Sequence, residues 1–346
     1  MKKVAIVGHF AFGKEFLDGQ TVKTKILAEE LERVYGKKNV KKIDTHGNKF
    51  KMMWSVVKSV FSMSTCKNIV ILPAHNGVRV FVPVLSGFKC FFKCRLHYAV
   101  VGGWLPEYIR DKNSIKKGLK KFHGVYVETS AMKKDLEKMG YDNILIMPNC
   151  KKLNILKEEE LVYNTEKPYR LCTFSRVMKE KGIEDAVNAV NTINKKYGET
   201  VYTLDIYGQV DVDQTEWFEE LKSSFPDYIK YGGLVPFDKS TEVLENYFAL
   251  LFPTHYYTEG IPGTIIDAYA AGIPVISAKW QNYKDIVDEN KTGLVFEMKN
   301  NPELTDILTE VYESPDKLNS IKVNCIKEAK AYLPENVVDL LIENLK

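Results

Sequence analysis

The chain has 346 residues, of which 45% are hydrophobic and 27% are charged, enough to bury more than one core. No apolar run reaches the length of a membrane-spanning helix. An apolar run of only four residues, 4–7, precedes the first glycine, Gly8, so we expect a first strand there and not a signal peptide. The six cysteines form no regular framework, which is typical of reduced thiols and predicts a cytoplasmic protein.

The charge is divided unevenly between the two halves of the chain. Residues 1–150 contain 27 Lys and Arg against 12 Asp and Glu, whereas residues 151–346 contain 22 against 33. The first half therefore carries +15 and the second −11, which sum to the overall +4. A basic half indicates an anionic partner such as membrane lipid, a polyanionic glycan or nucleic acid, and a solvated lysine-rich surface is the alternative. Because the chain has no zinc-finger, helix-turn-helix or RNA-binding signature, we expect no nucleic-acid partner.

Short apolar strands alternate with helical patterns in the first 150 residues, which predicts a doubly wound parallel sheet. The predicted strands are residues 4–7, 40–43, 69–72, 98–101, 125–127 and 144–147. Helices are predicted at 21–35 and 130–139, the second capped by Ser130. The long loop 8–20 contains glycines but lacks the GxGxxG spacing of nicotinamide-dependent enzymes.

Two segments of this half, 49–67 and 79–95, mix bulky apolar residues with Lys and Arg. An interfacial helix needs that combination, so we predict that the first domain docks on an anionic membrane surface. The alternative is that one helix simply packs its apolar residues on the sheet as core, namely Met52, Met53, Val56, Val57, Val60 and Phe61.

The second half repeats the alternation of strands and helices. Residues 151–167 are charged and poorly periodic, which is typical of a linker, and a new strand begins near Arg170. The next helix presents one apolar face, formed by Ile183, Ala186, Val187, Val190, Ile193 and Tyr197. An amphipathic helix, 336–345, ends the sequence. We predict a first domain at 1–150, a linker at 151–168, a second domain at 169–330 and a terminal helix within 331–346.

The most informative segment is 253–277, PTHYYTEGIPGTIIDAYAAGIPVIS. It follows a short apolar strand, and its turn leads into a helix, so unpaired backbone N–H groups and a positive helix end lie at the carboxyl edge of a sheet. A diphosphate binds well there, whereas Glu259 and Asp267 are suited to accept hydrogen bonds from hydroxyls. A nucleotide sugar carries both kinds of group. Arg176 and Lys181 follow another strand and suit a diphosphate whose charge grows during reaction.

These residues resemble the retaining glycosyltransferases of family 4, in group 1 of the glycosyl transferases, which have the GT-B fold of two Rossmann-like domains and a Glu-x7-Glu motif. Here the motif is Glu259 with Asp267, one methylene shorter than the usual Glu. The resemblance covers most of the chain, and its further motifs are residues 174–176, 181–183, 204–208 and 231–236.

The resemblance implies that Arg176 and Lys181 stabilise the leaving diphosphate, that Glu259 orients the sugar, and that Asp267 contacts the ribose directly or through water. The family often has a histidine after the fourth strand of its first domain, where this chain has Gly102-Gly103-Trp104. His75, after the preceding strand, could take that place, and an ordinary loop or core histidine is the alternative. The donor-binding residues implied are Gly19, His75, Gly103, Gly208, Val235, Pro236, Gly260, Ile261, Pro262, Gly263, Thr264 and Asp267.

Two possible metal sites are set aside. Cys90, Cys94 and His97 lack a fourth ligand and the Cys-x2-Cys spacing. Asp211 and Asp213 are similar to the Asp-x-Asp of the other large glycosyltransferase architecture, but they fall in a predicted loop where Asp213 can cap the next helix. We therefore expect no metal and no cofactor apart from the nucleotide-sugar substrate.

The resemblance implies an enzyme that moves a sugar, with retention of configuration, from a nucleotide-diphosphate-sugar to a hydroxyl of a glycan or lipid-linked acceptor. Surface polysaccharide or glycoconjugate assembly is the expected role, in the cytoplasm or at the inner face of the membrane. The terminal helix is expected to cross back to the first domain. Two alternatives remain: a nucleotide-sugar epimerase of the same fold, and a catalytically silent, glycan-binding member.

Overall fold

The computed structural model describes residues 2–13 and 19–346. These residues form two compact units. Unit 1 contains the residues up to 152 together with 332–346, and unit 2 contains residues 153–331. Each unit holds a six-stranded, wholly parallel sheet with flanking helices, which confirms the prediction of two Rossmann-like sheets.

Four of the six strands predicted in the first half begin one to three residues earlier than predicted, because polar residues such as Lys2 and Asn68 also pair in the ladders. The strands predicted from residues 40 and 144 begin there. The strands are β1 (Lys2–Gly8), β2 (Val40–Asp44), β3 (Cys66–Ile71), β4 (Arg95–Ala99), β5 (Gly124–Val127), β6 (Ile144–Ile146), β7 (Tyr169–Phe174), β8 (Tyr202–Tyr207), β9 (Ile229–Gly233), β10 (Ala249–Phe252), β11 (Val275–Lys279) and β12 (Gly293–Glu297). The sheet of unit 1 has the order β2-β1-β3-β4-β5-β6 and that of unit 2 the order β12-β11-β10-β7-β8-β9.

The first ten helices lie in the connections between strands, and the last four follow the last strand. They are α1 (Gly19–Tyr35), α2 (Lys49–Thr65), α3 (His75–Phe88), α4 (Leu105–Ile109), α5 (Asn113–Leu119), α6 (Ser130–Lys138), α7 (Ile183–Tyr197), α8 (Thr215–Ser223), α9 (Ser240–Leu244), α10 (Gly263–Ala270), α11 (Asn301–Glu313), α12 (Asp316–Asn319), α13 (Lys322–Ala329) and α14 (Pro334–Asn344). Among the residues the structure describes, no helix combines the length and hydropathy that crossing a bilayer requires.

The cap of α6 corrects one prediction. Thr129, not Ser130, is the N-cap, because its hydroxyl accepts a hydrogen bond from the Met132 amide at 3.2 Å while its backbone is extended. Ser130 is already the first helical residue. A side chain oxygen in the residue before the first helical turn is best placed to satisfy an unpaired amide there.

Unit 1 has a core on each face of its sheet. Residues of α3, α4, α5 and α6 pack on one face, and α1 and α14 pack on the other. The terminal helix is tied down by two hydrogen bonds: the Tyr35 hydroxyl donates to the Ile342 carbonyl, and the Asn68 amide donates to the Leu345 carbonyl. The second of these bonds is buried.

Helix α2 exposes large apolar side chains that an ordinary helix packed on a sheet would bury. Its buried residues are Ser55, Ser59, Ser62 and Met63, and its exposed residues include large apolar ones, which are Phe50, Met53, Trp54, Val57 and Phe61. The three serine hydroxyls donate to carbonyls three or four residues earlier, so they are satisfied while the small side chains face inward. The alternative that these apolar residues form a core face is therefore wrong for three of the six, Met53, Val57 and Phe61.

The second basic and apolar segment behaves differently. Four apolar residues of α3 are buried, namely Val78, Phe81, Val82 and Leu85. Only Phe88 and Phe91, near the end of the helix, are exposed large apolar residues of segment 79–95. The apolar face of α3 is therefore core, and the exposed apolar side chains of this segment lie in residues 88–95.

In unit 2 the helix α7 packs the predicted face on the sheet. Ile183, Ala186, Val190 and Ile193 are buried in one cluster with strand residues from β7, β8 and β10. The segment predicted as a linker lies against this unit, since the Leu156 amide donates to the Ala270 carbonyl at 2.9 Å and Leu161 is buried.

Candidate functional site

The order of the strands in unit 2 defines where a crevice opens. Strands β7 and β10 are neighbours, and the chain runs from β7 through β8 and β9 in one direction before it crosses to β10, β11 and β12 in the other. Ligands of open parallel sheets bind outside the carboxyl ends of strands at this reversal. The loops concerned are 175–182, after β7, and 253–262, after β10.

These two loops are locked together by close backbone contacts. Gly182 has φ of +69°, and a Cβ there would lie 1.9 Å from the Pro253 carbonyl oxygen, so only glycine fits. The His255 amide donates to the Glu180 carbonyl at 2.8 Å. The His255 ring also bonds Asp185 of α7 at 2.6 Å. The crevice wall is therefore built as one piece from both sides of the reversal.

Lys181 and Glu259 meet at this point. The Lys181 ammonium donates to the Glu259 carboxylate in a short ion pair, and both side chains are only 16% exposed. The hydroxyl of the buried Thr254 donates to the same carboxylate oxygen at 3.1 Å. The ring centroid of Tyr256 lies 5.0 Å from the ammonium. Two of the three predicted catalytic residues are thus in direct contact, although 78 residues separate them.

Several groups fix the geometry of this pair. The amide of Asn282, a buried residue after β11, donates to the Glu259 carbonyl, which holds the loop from the other side. Burial raises the pKa of the Tyr256 phenol, and the carboxylates of Glu180 and Glu259 raise it further. Tyr256 therefore stays neutral and contributes a polarisable ring and a hydroxyl near the cation.

The turn predicted to hold phosphate leads directly into α10. Gly260, Ile261 and Pro262 occupy the turn, and the helix begins at Gly263. The amides of Ile265 and Ile266 donate to the Pro262 carbonyl, so the amides before them are the unpaired donors of the helix start. The Thr264 hydroxyl is enclosed and has no hydrogen-bond partner among the described residues. This helix start offers donors at the carboxyl edge of β10.

Asp267 lies on α10, one turn after Gly263, and is 4% exposed. Glu259, by contrast, precedes the helix by four residues, so it is not a carboxylate held by the first helical turn. The two carboxylates of the motif thus have different surroundings. Glu259 is paired with a cation at the reversal, whereas Asp267 belongs to the buried side of the helix.

Arg176 occupies a more open position than Lys181. Its guanidinium lies 3.5 Å from the Asp211 carboxylate and its side chain is 60% exposed. The loop after β8 packs closely against Ser175, the residue before Arg176. Gly208 in that loop has φ of +135°, and a Cβ there would lie 1.8 Å from the Ser175 carbonyl oxygen. The structure therefore joins the loops after β7 and β8, but among the residues it describes it places no hydrogen bond or ion pair between Arg176 and the Lys181–Glu259 pair. Asp211 serves here as the partner of a cation.

The assignment of Asp213 as a helix cap is wrong. Asp211 caps the short 3-10 turn Val212–Gln214 by accepting from the Asp213 amide at 3.1 Å. Gln214 then precedes α8, and its side chain bonds the Glu180 carboxylate and the Lys179 amide. Gln214 thus links the loop after β8 to the loop after β7.

Val235 and Pro236 follow β9, at the edge of the sheet. Pro236 is exposed and its carbonyl accepts from the Lys239 amide. Both residues lie at the same carboxyl edge as the other predicted donor residues of unit 2. They are two strands away from the reversal at β7.

The predicted donor residues of unit 1 are distributed over three loops. Gly19 is the first residue of α1. Residues 14–18 of the predicted loop before it lie outside the described residues. His75 begins α3 and stacks on Trp104, with ring centroids 3.9 Å apart. Gly103 directly precedes Trp104, so the structure brings His75 and Gly103 to the same place. Burial lowers the pKa of His75, and the charge of Lys112 lowers it further, which favours a neutral ring.

The residues considered for metal binding have other partners. His97 is buried within β4, with its ring nitrogens 3.1 Å from the Tyr126 hydroxyl and 3.3 Å from the Asn68 amide oxygen. Cys94 is buried and Cys90 is exposed. Among the described residues, no three His, Cys, Asp or Glu side chains are grouped to hold a metal ion.

Sequence reasoning missed Thr254, Tyr256 and Asn282. The first two lie in the same loop as Glu259, at positions 254 and 256. Their closeness in sequence to Glu259 was the signal that could have identified them. Asn282 follows a different strand, and no sequence pattern connects it with the carboxylate it positions.

The sequence profile of the family described as "Glycosyl transferases group 1" matches residues 157–330, half of the chain. The chain belongs to this family. The matched range contains Arg176, Lys181, Glu259 and Asp267 and lies within unit 2. For this group 1 glycosyltransferase, the Lys181–Glu259 pair is therefore part of the region that the family shares.

One curated relative is the "Amylovoran biosynthesis glycosyltransferase AmsK" of Erwinia amylovora, 24% identical over 130 residues. The match covers 36% of this group 1 glycosyltransferase and 31% of the relative. The chain thus spans about a third of the length of the curated relative it matches.

Solved structures show the same fold over the whole chain. HepE of Anabaena, solved in complex with UDP, has a TM-score of 0.77 at 14% identity, with 100% of this chain and 99% of HepE covered. Sucrose-phosphate synthase of Thermosynechococcus elongatus has a TM-score of 0.76 at 14% identity, with 99% and 98% covered. This group 1 glycosyltransferase therefore has the GT-B fold.

Proposed function

We propose that this chain transfers a sugar from a nucleotide-diphosphate-sugar to a hydroxyl of a glycan or lipid-linked acceptor, with retention of configuration. The observation that carries the proposal is the Lys181–Glu259 pair at the strand reversal, beside the unpaired amides at the start of α10. A donor needs both a cationic site for its diphosphate and an acceptor of hydrogen bonds for its sugar. Here the cation, Lys181, and the hydrogen-bond acceptor, Glu259, are in contact.

These residues act on the leaving group of the reaction, which is the diphosphate. When the bond between the anomeric carbon and the phosphate oxygen breaks, negative charge grows on the diphosphate. Lys181, the amides at the start of α10 and the more exposed Arg176 stabilise that charge. Preorganised charges in a partly dry site supply much of the rate enhancement in reactions of this kind.

The pairing of Lys181 with Glu259 gives the site a defined state before the donor binds. Glu259 holds the ammonium at the crevice, and Thr254 and Asn282 hold Glu259. When the diphosphate binds, it shares the ammonium, and the carboxylate accepts hydrogen bonds from the sugar hydroxyls. Asp267 is assigned to the ribose, and its burial favours contact through a water molecule.

No protein nucleophile is assigned in the proposed mechanism. The acceptor oxygen bonds to the anomeric carbon on the face that the phosphate leaves, and the acceptor proton passes to the departing phosphate oxygen. Atoms and charges then balance without a covalent intermediate. HepE has been solved in complex with UDP and in complex with UDP-glucose, which supports a nucleotide sugar as the donor class.

We also propose a role in polysaccharide or glycoconjugate assembly, in the cytoplasm and at the surface of its membrane. The name of the Erwinia relative supports the first part. The six cysteines, all free, support a reducing compartment.

The test begins with binding and continues to turnover. A melting-temperature screen against nucleoside diphosphates and their sugars should find one donor that raises the melting temperature, because a ligand of the folded state stabilises it by mass action. With that donor, Arg176→Ala and Lys181→Ala should each lower turnover about 10²- to 10³-fold. Lys179→Ala is the matched control, since this exposed lysine lies two residues from Lys181 and should keep normal activity. Full activity of the Arg176 and Lys181 variants would remove both residues from the mechanism.

A further inference from the structure

The exposed face of α2 carries large apolar side chains that no described residue of unit 1 buries. Phe50, Met53, Trp54, Val57 and Phe61, which we call the apolar strip, are 48% to 77% exposed. Their spacing places them on one side of the helix, over a length of about 16 Å. Exposed apolar patches of this kind mark sites of interaction.

Unit 1 has two more exposed aromatic residues, at the end of α3 and just after it. Phe88 and Phe91 are exposed, with ring centroids 6.3 Å apart. The end of α2 and residues 91–95 line one shallow pocket of about 390 Å³, to which Lys67, Lys93 and Arg95 contribute. Apolar and basic side chains therefore share a single surface.

The charge of this surface is of one sign. Residues 45–106 contain eight Lys and Arg and no Asp or Glu. Within the described part of the chain, none of these eight cations forms an ion pair. A second copy of the chain, packed by a two-fold axis, would oppose these cations to each other. A surface of anionic lipid accepts both features, because apolar side chains enter the headgroup boundary while the cations face lipid phosphates.

We propose that unit 1 docks on an anionic lipid bilayer through the apolar strip of α2 and the basic segment 88–95. The three inward serines explain how the helix can present its large residues to lipid, since the sheet is covered by small side chains whose hydroxyls are satisfied within the helix. The docked helix lies in the plane of the membrane surface. Trp54 and Phe61 enter the boundary, and Lys89, Lys93 and Arg95 remain at the headgroups.

The position of α2 also relates the bilayer to the proposed sugar transfer. This step of the inference rests on the proposed function, whereas the docking itself does not. Helix α2 begins just after His46, which lies at the carboxyl edge of the sheet and bonds His9 after β1 at 2.8 Å. A bilayer along α2 would bring a lipid-linked acceptor to that edge, at the ends of β1 and β2. The acceptor class that the surface favours is therefore a lipid-linked saccharide.

The experiment measures binding to vesicles of phosphatidylcholine with and without 30–40% phosphatidylglycerol (roughly the anionic content that attracts polybasic segments). We expect sedimentation with the anionic vesicles, weakened by salt, and quenching of Trp54 fluorescence by brominated acyl chains. Trp54→Phe should lose most of the quenching while it still sediments. Lys89→Glu/Lys93→Glu/Arg95→Glu should lower the affinity about 100-fold, at roughly fivefold or more for each residue.

The apolar strip is tested separately. Trp54→Gln/Phe61→Gln should lower the affinity at least about tenfold. The matched controls are Val212→Gln, which removes an 81% exposed apolar residue of unit 2, and Lys195→Glu/Lys196→Glu, which reverses exposed charges there. Both controls should bind as the wild type does, and circular dichroism should show that every variant is folded.

Three outcomes would overturn the proposal: no binding of the wild type at low salt, equal binding of the α2 variants and the controls, or dimerisation through α2 that excludes vesicles. The donor-induced rise in melting temperature is measured on the same proteins without lipid. A wild type that responds to donor but not to vesicles refutes the docking alone. A wild type that binds vesicles but no donor refutes the proposed function alone.

Discussion

A buried ion pair in unit 1 allows a prediction of stability. The Lys23 ammonium of α1 lies 2.8 Å from the Glu128 carboxylate, just after β5, and it also donates to the Val100 carbonyl, just after β4. The two side chains are 0% and 3% exposed. The pair therefore joins the beginning of α1 to the carboxyl ends of two strands. The perturbation is Lys23→Met, which keeps the length of the side chain and removes its charge.

The expected loss in the free energy of unfolding follows from the burial of the ion pair. At an effective dielectric constant of about 20, unit charges at this separation attract by about 6 kcal/mol. Transfer of both ions from water costs several kcal/mol for each, so the intact pair contributes little net stability. Removal of the Lys23 charge takes the ammonium partner away from the buried Glu128 carboxylate, and breaking a buried pair in this way typically costs about 3–5 kcal/mol. This is a large part of the 5–15 kcal/mol that is typical of a folded domain. We expect Lys23→Met to lose about 4 kcal/mol, and Lys23→Met/Glu128→Leu to recover more than half of it.

The assay must resolve the two units, because a two-domain chain need not unfold in one step. Hydrogen exchange read by mass spectrometry at increasing urea gives the free energy of opening for individual segments. The β5 peptide, residues 124–127, should report the loss. The β10 peptide, residues 249–252, is the internal control in unit 2, and Lys25→Met on the same helix is the control substitution.

A loss of less than 1 kcal/mol in β5 would refute the reasoning, because it would mean that water or another group compensates Glu128. An equal loss in β10 would refute the assignment of the pair to unit 1. A double variant as unstable as the single one would show that packing, and not the remaining charge, sets the cost.

Two further predictions concern metal and pH. Because protein cations meet the diphosphate in the proposed mechanism, EDTA should leave sugar transfer largely intact, and a complete loss restored by Mn²⁺ or Mg²⁺ would revive a metal role for Asp211 and Asp213. Burial, with help from His123 and Arg95, lowers the pKa of His97 from 6.5 to about 3, so the unfolded chain binds a proton that the folded chain does not between these values. The free energy of unfolding of unit 1 should therefore fall as the pH drops below about 6.5, by up to about 1.4 kcal/mol per pH unit. His97→Gln should show a shallower dependence in urea unfolding at pH 7, 6 and 5, and identical slopes would contradict the assignment.

The sequence predicted the parallel sheets because each buried strand is a short apolar run bounded by turn residues. It also predicted the turn into α10, since glycine and proline leave few conformations for that segment. The contact of Lys181 with Glu259 was not predicted from the pattern. It depends on β7 and β10 being neighbours, and strand order is a property of the whole sheet that no local spacing records.

Helix α2 illustrates a different limit. Its apolar residues have helical spacing, so an amphipathic helix could be expected, but periodicity does not say which face is buried. Serine at positions 55, 59 and 62 has an oxygen that the helix itself can satisfy, so these residues pack inward at little cost. A face of small polar residues can therefore replace an apolar one against a sheet.

The return of α14 to unit 1 determines the order in which this chain can mature during synthesis. The core on one face of the first sheet includes Val337, Val338 and Leu341, which leave the ribosome after all of unit 2. Unit 2 is continuous in sequence and can close while translation proceeds. Unit 1 must wait with the part of that face that α14 covers exposed, although α1 already packs beside it. A nascent chain stalled before residue 334 would thus expose the apolar side chains of β1 and α1 to chaperones.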